Sequence, residues 1–164
     1  MSFYFYEDFL ADGADVADWL LVSALSAKSA LSARNHFFMT ENEISYIVRG
    51  AIFEIYNHFG PGLFESVYKE AIYIYLLKNN LSVQKEVGIA ASYSTINLGL
   101  AYRMDILVEN KVILEIKSVD AIIPIFEAQL ITYLKLADKR LGYLINFNVN
   151  LLKDGFKRVV YKFE

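Results

Sequence analysis

Apolar residues recur at helical spacing soon after Met39, which predicts a helix with one buried face. The residues that share this face are Ile44, Ile47, Val48, Ala51, Ile52 and Ile55. Thr40 and Glu43 fit a capping box, in which each side chain accepts a hydrogen bond from a free amide at the start of the helix. Gly60-Pro61-Gly62 predicts the end of this helix and a turn.

A second helix is predicted from about Leu63 to Lys78, and beyond it the apolar positions alternate with a period of two. The predicted buried side of this helix comprises Phe64, Val67, Ala71, Tyr75 and their neighbours. The later pattern predicts strands over 83–93, 96–108 and 112–117, a helix over 125–137, and strands over 141–147 and 158–163. The order α-α-β-β-β-α-β-β indicates an α/β fold in which helices flank a mixed central β-sheet.

Residues 1–38 differ in character from the rest of the chain. An acidic and aromatic start leads into an apolar stretch around Trp19 and then an Ala/Ser-rich segment. A secretory signal would begin with basic residues, and this stretch is too short to span a bilayer, so we expect a weakly structured or helical leader without stable membrane insertion. A membrane-targeting leader is the alternative. A further hypothesis is that Met39 is the natural start, which the mass of the native protein would test.

The charged residues divide unevenly along the chain. The net charge is −3, and residues 1–38 account for all of it with five acidic and two basic side chains. The remaining 14 acidic and 14 basic side chains balance, which counts against tight unaided binding of nucleic acid. The absence of cysteine excludes disulfides and thiol nucleophiles, and two distant histidines make a histidine-rich metal site improbable. We expect a cytoplasmic protein.

The most informative chemistry lies around Asp105, Glu115 and Lys117. If Glu109-Asn110-Lys111 is a three-residue hairpin loop, Asp105 faces Glu115 with Cβ atoms roughly 5 Å apart. A two-residue loop would instead place the two carboxylates on opposite faces of the hairpin. Two carboxylates this close repel each other unless a cation lies between them or one is protonated. The spacing therefore predicts a cation site, provided that the turn has three residues.

Carboxylate oxygens are the ligands that Mg²⁺ and Mn²⁺ prefer. Lys117, beside such an ion, could hold a water molecule and stabilise developing negative charge, so the group could hydrolyse a phosphodiester bond. The alternative for Asp105 and Lys117 is a structural ion pair between strands. Glu65 also has a structural explanation, because an acidic side chain in the first turn of a helix is favoured and can pair with Lys69 four residues later.

Several separated motifs resemble a known family in the same order. The set Asp105…Glu115-Ile116-Lys117 resembles the motif of the PD-(D/E)XK nuclease superfamily. Within that superfamily, Gly62-Leu63-Phe64-Glu65-Ser66-Val67-Tyr68 resembles the naming motif of the GxxExxY family. Further matching motifs are Tyr102-Arg103-Met104-Asp105, Glu127-Ala128-Gln129-Leu130 and Leu144-Ile145-Asn146-Phe147-Asn148. The resemblance covers about residues 42–160, and Tyr56 departs from it because the family commonly has histidine there.

The resemblance implies a restriction-endonuclease-like core over residues 39–164 and a role for each matching residue. It implies that Asp105, Glu115 and the backbone carbonyl of Ile116 bind Mg²⁺ or Mn²⁺, and that Lys117 orients or activates the water. It also implies that Glu65 completes the metal site, and that Gln129 and Tyr133 touch the site from the following helix. Their spacing of four residues puts these last two on one helix face.

The expected function is metal-dependent hydrolysis of phosphodiester bonds in nucleic acid, with DNA as the first substrate and RNA as the alternative. A second hypothesis is a binding module in which the nuclease fold holds nucleic acid or a partner protein with little or no hydrolysis. A third is a structural domain that forms a homo-oligomer through aromatic surfaces and needs no metal. The sequence leaves open the substrate, the endo- or exonuclease mode and the pathway.

Overall fold

The computed structural model describes residues 39–162. The predictions for the leader, including its membrane-targeting alternative, and for Phe163 lie outside the described residues. Within the described part of the chain, no helix is long and apolar enough to cross a membrane.

Within residues 39–162, three α-helices and five β-strands follow one another in the predicted order. Their bounds are α1 Glu41–Phe59, α2 Glu65–Lys78, β1 Val83–Tyr93, β2 Ile96–Val108, β3 Val112–Lys117, α3 Pro124–Leu136, β4 Leu141–Asn146 and β5 Phe156–Val160. A short 3₁₀ helix, Leu152–Asp154, precedes β5. The predicted α/β fold with a mixed sheet flanked by helices is thereby confirmed.

Helix α1 has the predicted start and end. The Thr40 side chain accepts from the Glu43 amide, and the Glu43 carboxylate accepts from the Thr40 amide at 2.7 Å. At the other end, the Gly60 amide donates to the carbonyl of Tyr56 at 2.8 Å. Gly60 has a φ of +66°, a conformation that glycine adopts without strain, so the helix stops there.

The predicted buried side of α2 is wrong at Phe64 and Val67, which are 83% and 39% exposed. Ala71 and Tyr75 are partly buried and pack against the core, as predicted. The buried residues are Tyr68, Ile72 and Leu76. The face of α2 that carries Tyr68 therefore packs against the core. The Tyr68 ring stacks on the Phe147 ring, with 4.2 Å between the ring centroids.

The sheet has the order β1-β2-β3-β4-β5. Only β3 and β4 are parallel, and α3 connects them; the other neighbouring pairs are antiparallel. Strand β5 begins at Phe156 and ends at Val160, whereas the sequence predicted it from Arg158 to Phe163. The shift arises because β5 pairs with β4 immediately after the 3₁₀ turn, with Phe156 opposite Ile145.

Two apolar cores lie on opposite faces of this sheet. On one face α1 and α2 cover the larger core, which contains Ile44, Val48, Ile52, Tyr68, Ile72, Leu114, Ile116 and Phe147. On the other face α3 covers a smaller core, which contains Leu130, Tyr133, Leu134, Ile113 and Leu144. The two faces of β3 are both buried, so a charged side chain in this strand is taken out of water.

Candidate active site

The β2–β3 hairpin has the predicted three-residue loop. Val108 faces Val112, and the ladder continues through Leu107–Ile113 to Ile106–Leu114. Glu109 and Asn110 have φ values of 50° and 51°, the left-handed backbone that closes this turn.

The ladder ends one pair short of the predicted contact between Asp105 and Glu115. In place of a backbone pair there, the Asp105 Oδ2 atom accepts a hydrogen bond from the Ile116 amide at 2.8 Å. The two strands therefore separate at Asp105, and its carboxylate fills the gap.

An irregularity in β1 and β2 accompanies this separation. Val83 packs in the core under α1 and α2, but Val87 packs on the α3 side, although residues four apart in a regular strand share a face. In β2, Ile106 and Met104 likewise belong to opposite cores. Glu86 lies at the point of change with a φ of 55°, in the left-handed region. Both strands thus change faces beside Asp105, which opens the sheet to side chains from α2.

Glu115 is the most unusual titratable group of the site. It is 3% exposed, its Oε1 atom accepts from Lys117 Nζ at 2.6 Å, and its Oε2 atom is buried with no hydrogen-bond partner among residues 39–162. Burial, and then the negative charge of Asp105, raise the pKa of Glu115 to about 7 despite the opposing effect of Lys117. A carboxylate held in this way gains from a second cation on its free oxygen.

The Lys117 side chain extends toward Glu115, with which it forms an ion pair. Besides its ion pair with Glu115, its Nζ atom donates to the carbonyl oxygen of Ile116 at 3.2 Å. The same ammonium lies 5.5 Å from the centroid of the Phe126 ring on α3. The carbonyl that the resemblance implied as a metal ligand therefore faces the site beside Glu115.

Lys69 on α2 joins three carboxylates. Its Nζ atom lies 3.1 Å from Asp105 Oδ1, 3.3 Å from Glu86 Oε1 and 3.4 Å from Glu65 Oε1. Burial lowers the pKa of Lys69, but the hydrogen bond to Asp105 and the surrounding negative charges outweigh burial and raise the pKa well above its usual value. The Glu65–Lys69 pair that the sequence suggested is present. Glu65 is thus brought near Asp105 through the lysine.

Gln129 and Tyr133 approach the site from α3. The Gln129 side-chain amide donates to the Tyr133 hydroxyl, as the spacing of four allows. Tyr133 is 2% exposed, and burial together with the charge of Glu115 raises its pKa to about 12, against the effect of the Gln129 hydrogen bond. Tyr133 therefore stays protonated at neutral pH.

Asn146 holds the loop after β3. In the sequence this residue stands out only as part of the motif Leu144-Ile145-Asn146-Phe147-Asn148. Asn146 is 1% exposed; its Oδ1 atom accepts from the amides of Val119 and Asn148, and its Nδ2 atom donates to the Val119 carbonyl at 2.7 Å. In the parallel ladder it lies opposite Lys117. Its hydrogen bonds therefore fix the backbone immediately after the lysine.

An open depression of about 390 Å³ lies beside the site. Its lining comprises Gly62, Leu63, Phe64, Glu65, Ser118 and Asn148. The Ser118 hydroxyl donates to the Leu63 carbonyl at 2.8 Å, and the Tyr68 hydroxyl accepts from the Leu63 amide and donates to the Gly60 carbonyl. These bonds fix the turn before α2 against the end of β3, and so place Glu65 at the edge of the depression.

The structure thus brings Asp105, Glu115 and Lys117 together at the point where β2 and β3 separate, with α2 contributing on one side and α3 on the other. The sequence reasoning did not identify Lys69 or Glu86 as site residues. Within residues 39–162, no three acidic or histidine side chains converge in a way that could hold a metal ion as they stand. The carboxylates contact lysine ammonium groups instead.

The fold and this arrangement define the restriction-endonuclease-like class of α/β proteins. The chain belongs to the PD-(D/E)XK nuclease superfamily, whose family model matches residues 42–159. Neither a curated protein nor a solved structure matches the chain. Membership indicates a nuclease-type function and binding of nucleic acid, and nucleases of this superfamily generally use divalent metal ions.

Proposed function

We propose that the chain is a metal-dependent nuclease that hydrolyses phosphodiester bonds in DNA, and that it is a cytoplasmic member of the GxxExxY family. Asp105, Glu115 and the carbonyl oxygen of Ile116 would hold Mg²⁺ or Mn²⁺, and Glu65 would complete the site. The observation that carries the proposal is the Oε2 atom of Glu115, which is buried and has no hydrogen-bond partner among the described residues. A buried acceptor of this kind costs free energy unless a cation or donor reaches it.

The chemistry of the donors fits the implied ion. All of them are oxygens, from carboxylates and one carbonyl, which is the set that Mg²⁺ and Mn²⁺ bind. When bound, such an ion polarises a phosphoryl oxygen and lowers the pKa of a coordinated water. The Ile116 amide holds Asp105 in place at 2.8 Å, so the direction of this carboxylate is fixed by the backbone of β3.

Lys117 supplies positive charge and a hydrogen-bond donor. Its ammonium, held by Glu115 and the Ile116 carbonyl, can orient a water molecule toward the phosphorus atom and stabilise the charge that develops on the phosphoryl oxygens. The Tyr133 hydroxyl is protonated and accepts a hydrogen bond from Gln129. Its own proton can therefore be donated to Glu115 or to a substrate oxygen. These side chains position the reacting groups and stabilise the developing charge. The attacking water would release its proton to solvent, and the leaving oxygen would take a proton from solvent.

The depression beside Glu65 offers a place for the nucleic acid strand. Phe64 lies on its lining and is 83% exposed, and a base can stack on an exposed aromatic ring regardless of its sequence. The ring is therefore expected to add affinity without base preference. A Phe64→Ala variant should bind labelled single-stranded DNA more weakly by fluorescence anisotropy, and an RNA strand of the same sequence would show which sugar is preferred.

Calorimetric titration with Mn²⁺ and Mg²⁺ tests the metal site. Wild-type protein should bind, and the Asp105→Ala and Glu115→Ala variants should not. Glu70→Ala is the matched control, because this exposed carboxylate also pairs with a lysine but lies outside the site. A folded wild type that takes up neither ion, in the presence or absence of a DNA oligonucleotide, contradicts the proposal.

A specific surface favours another candidate function, the structural domain that forms a homo-oligomer by pairing with another copy of this chain. Among the strands of residues 39–162, β1 lies at an edge of the sheet, and the distal part of the β1–β2 hairpin exposes Ile96, Leu98 and Leu100. Residues 89–102 carry no charged side chain, which suits a protein surface rather than phosphates. Light scattering should detect a dimer that Leu98→Lys dissociates; a monomeric wild type rules this surface out as a self-contact.

A further inference from the structure

Lys69 contacts two of the carboxylates that the proposed metal site would use, Asp105 and Glu65. Its ammonium contacts Asp105, Glu65 and Glu86, and its side chain is 20% exposed. Both oxygens of Asp105 are engaged, Oδ1 by this ammonium and Oδ2 by the Ile116 amide. A cation of the chain itself therefore already balances the charge of Asp105.

We propose, on the basis of the metal site proposed above, that Lys69 is an internal counter-ion which must leave Asp105 before a divalent metal ion can bind there. An ion bound to Asp105 would lie next to the Lys69 ammonium, and like charges repel strongly in a partly buried site. Metal binding is therefore an exchange in which one cation replaces another. Lys69 weakens metal affinity and stabilises the metal-free protein.

The three partners of Lys69 differ in exposure, and this difference provides a path for the exchange. The Asp105 side chain is 13% exposed, whereas Glu65 is 35% and Glu86 is 49% exposed. A lysine side chain that turns outward leaves Asp105 but keeps Glu86 within reach, the carboxylate that the proposed metal site does not use. The exchange therefore does not require the ammonium to lose all of its ion pairs.

The backbone conformation of Glu86 places its carboxylate on the exposed side of Lys69. Its φ of 55° is unusual for a glutamate, and it lies where β1 and β2 change faces beside Asp105. Such a conformation is strained for a residue with a side chain and persists only when the surroundings favour it. Its side chain also contacts Arg103 at 3.5 Å, so the acceptor that would receive Lys69 is itself held in place.

The test compares the Mn²⁺ affinity of the full chain with that of Lys69→Gln and Lys69→Arg by calorimetry. Lys69→Gln should bind about tenfold more tightly or better, because the competing charge is gone, whereas Lys69→Arg should resemble wild type. Lys85→Gln is the control: it removes the same charge from a neighbouring lysine that pairs with Glu70 instead. Its affinity should stay within about twofold of wild type, since Lys85 touches none of the metal-binding groups.

A second measurement uses only wild-type protein and so does not depend on the folding of a variant. The Lys69 amine should react faster with an acetylating reagent once Mg²⁺ or Mn²⁺ is saturating, as measured by mass spectrometry of the digested protein. Lys85 serves as the internal reference and should react at an unchanged rate.

The outcomes separate the exchange from the metal site itself. If wild type binds metal, but Lys69→Gln binds no more tightly and Lys69 reactivity does not rise, the exchange is refuted and the metal site stands. If neither protein binds metal, the proposed site fails and the exchange with it. Tighter binding in Lys69→Gln, together with faster acetylation of Lys69 in wild type, supports the exchange.

Discussion

Replacing Glu115 by glutamine removes the charge of a carboxylate that the fold buries almost completely. The pKa of this group rises from 4.5 to about 7 because of burial and the neighbouring charge of Asp105, even with Lys117 paired to it. Glutamine has nearly the same shape as the protonated acid and can offer its carbonyl oxygen to Lys117. The variant therefore mimics the protonated form at every pH.

The sign of the effect follows from proton binding. When the pKa of an acid is higher in the folded than in the unfolded protein, the protonated acid favours folding. For Glu115, this contribution to the free energy of unfolding is complete below pH 4.5 and is lost as the pH rises to 7. A shift from 4.5 to about 7 corresponds to about 3 kcal/mol. In metal-free buffer at pH 8, Glu115→Gln should therefore be more stable than wild type by about 3 kcal/mol, and at pH 4.5 or below the two should be nearly equal.

Urea unfolding of both proteins in EDTA at pH 4.5, 6 and 8 measures this difference. The control is Glu70→Gln, which removes a carboxylate from an exposed lysine pair and should change stability by less than about 1 kcal/mol at any of these pH values. The reasoning is refuted if Glu115→Gln is less stable than wild type at pH 8, or if the difference between them does not depend on pH.

Three substitutions test the backbone around the site, each by the shift of the urea midpoint. Asn146→Ala should destabilise the protein by about 2–4 kcal/mol, because it leaves buried groups of the loop after β3 without partners, whereas the exposed Asn150→Ala should have little effect. Tyr68→Phe keeps the ring but loses two hydrogen bonds to the turn before α2, and should cost about 1–3 kcal/mol. Gly155→Ala should cost about 1–3 kcal/mol or more, since its Cβ would lie 2.2 Å from the carbonyl oxygen of Asn146. If any of these three variants is as stable as wild type, the structural role that we assign to that residue is contradicted.

The β2–β3 hairpin could be predicted from sequence because local signals and burial agree there. Glu109-Asn110-Lys111 interrupts two apolar runs, and a register with Val108 opposite Val112 buries both runs. The Thr40–Glu43 cap and the Gly60 stop of α1 were predictable for the same reason. Each depends on residues within a few positions of one another.

The features that were missed depend on residues far apart in the chain. The buried face of α2 is set by the stacking of Tyr68 on Phe147, 79 positions away, while apolar residues at Phe64 and Val67 face outward. The role of Lys69 depends on a change of strand faces at Glu86, which no periodic pattern encodes. From sequence alone, Lys69 was visible only as the partner of Glu65 one helical turn away.

The central claim is metal-dependent hydrolysis at Asp105, Glu115 and Lys117. The most direct measurement is cleavage of end-labelled single- and double-stranded DNA by the full chain in Mg²⁺ or Mn²⁺, beside the same protein in EDTA and the Asp105→Asn variant. The account predicts cleavage by wild type with metal and none in the other two samples. Cleavage that persists in EDTA or in Asp105→Asn, or a wild type that binds metal and DNA but cuts neither DNA nor RNA, would contradict it.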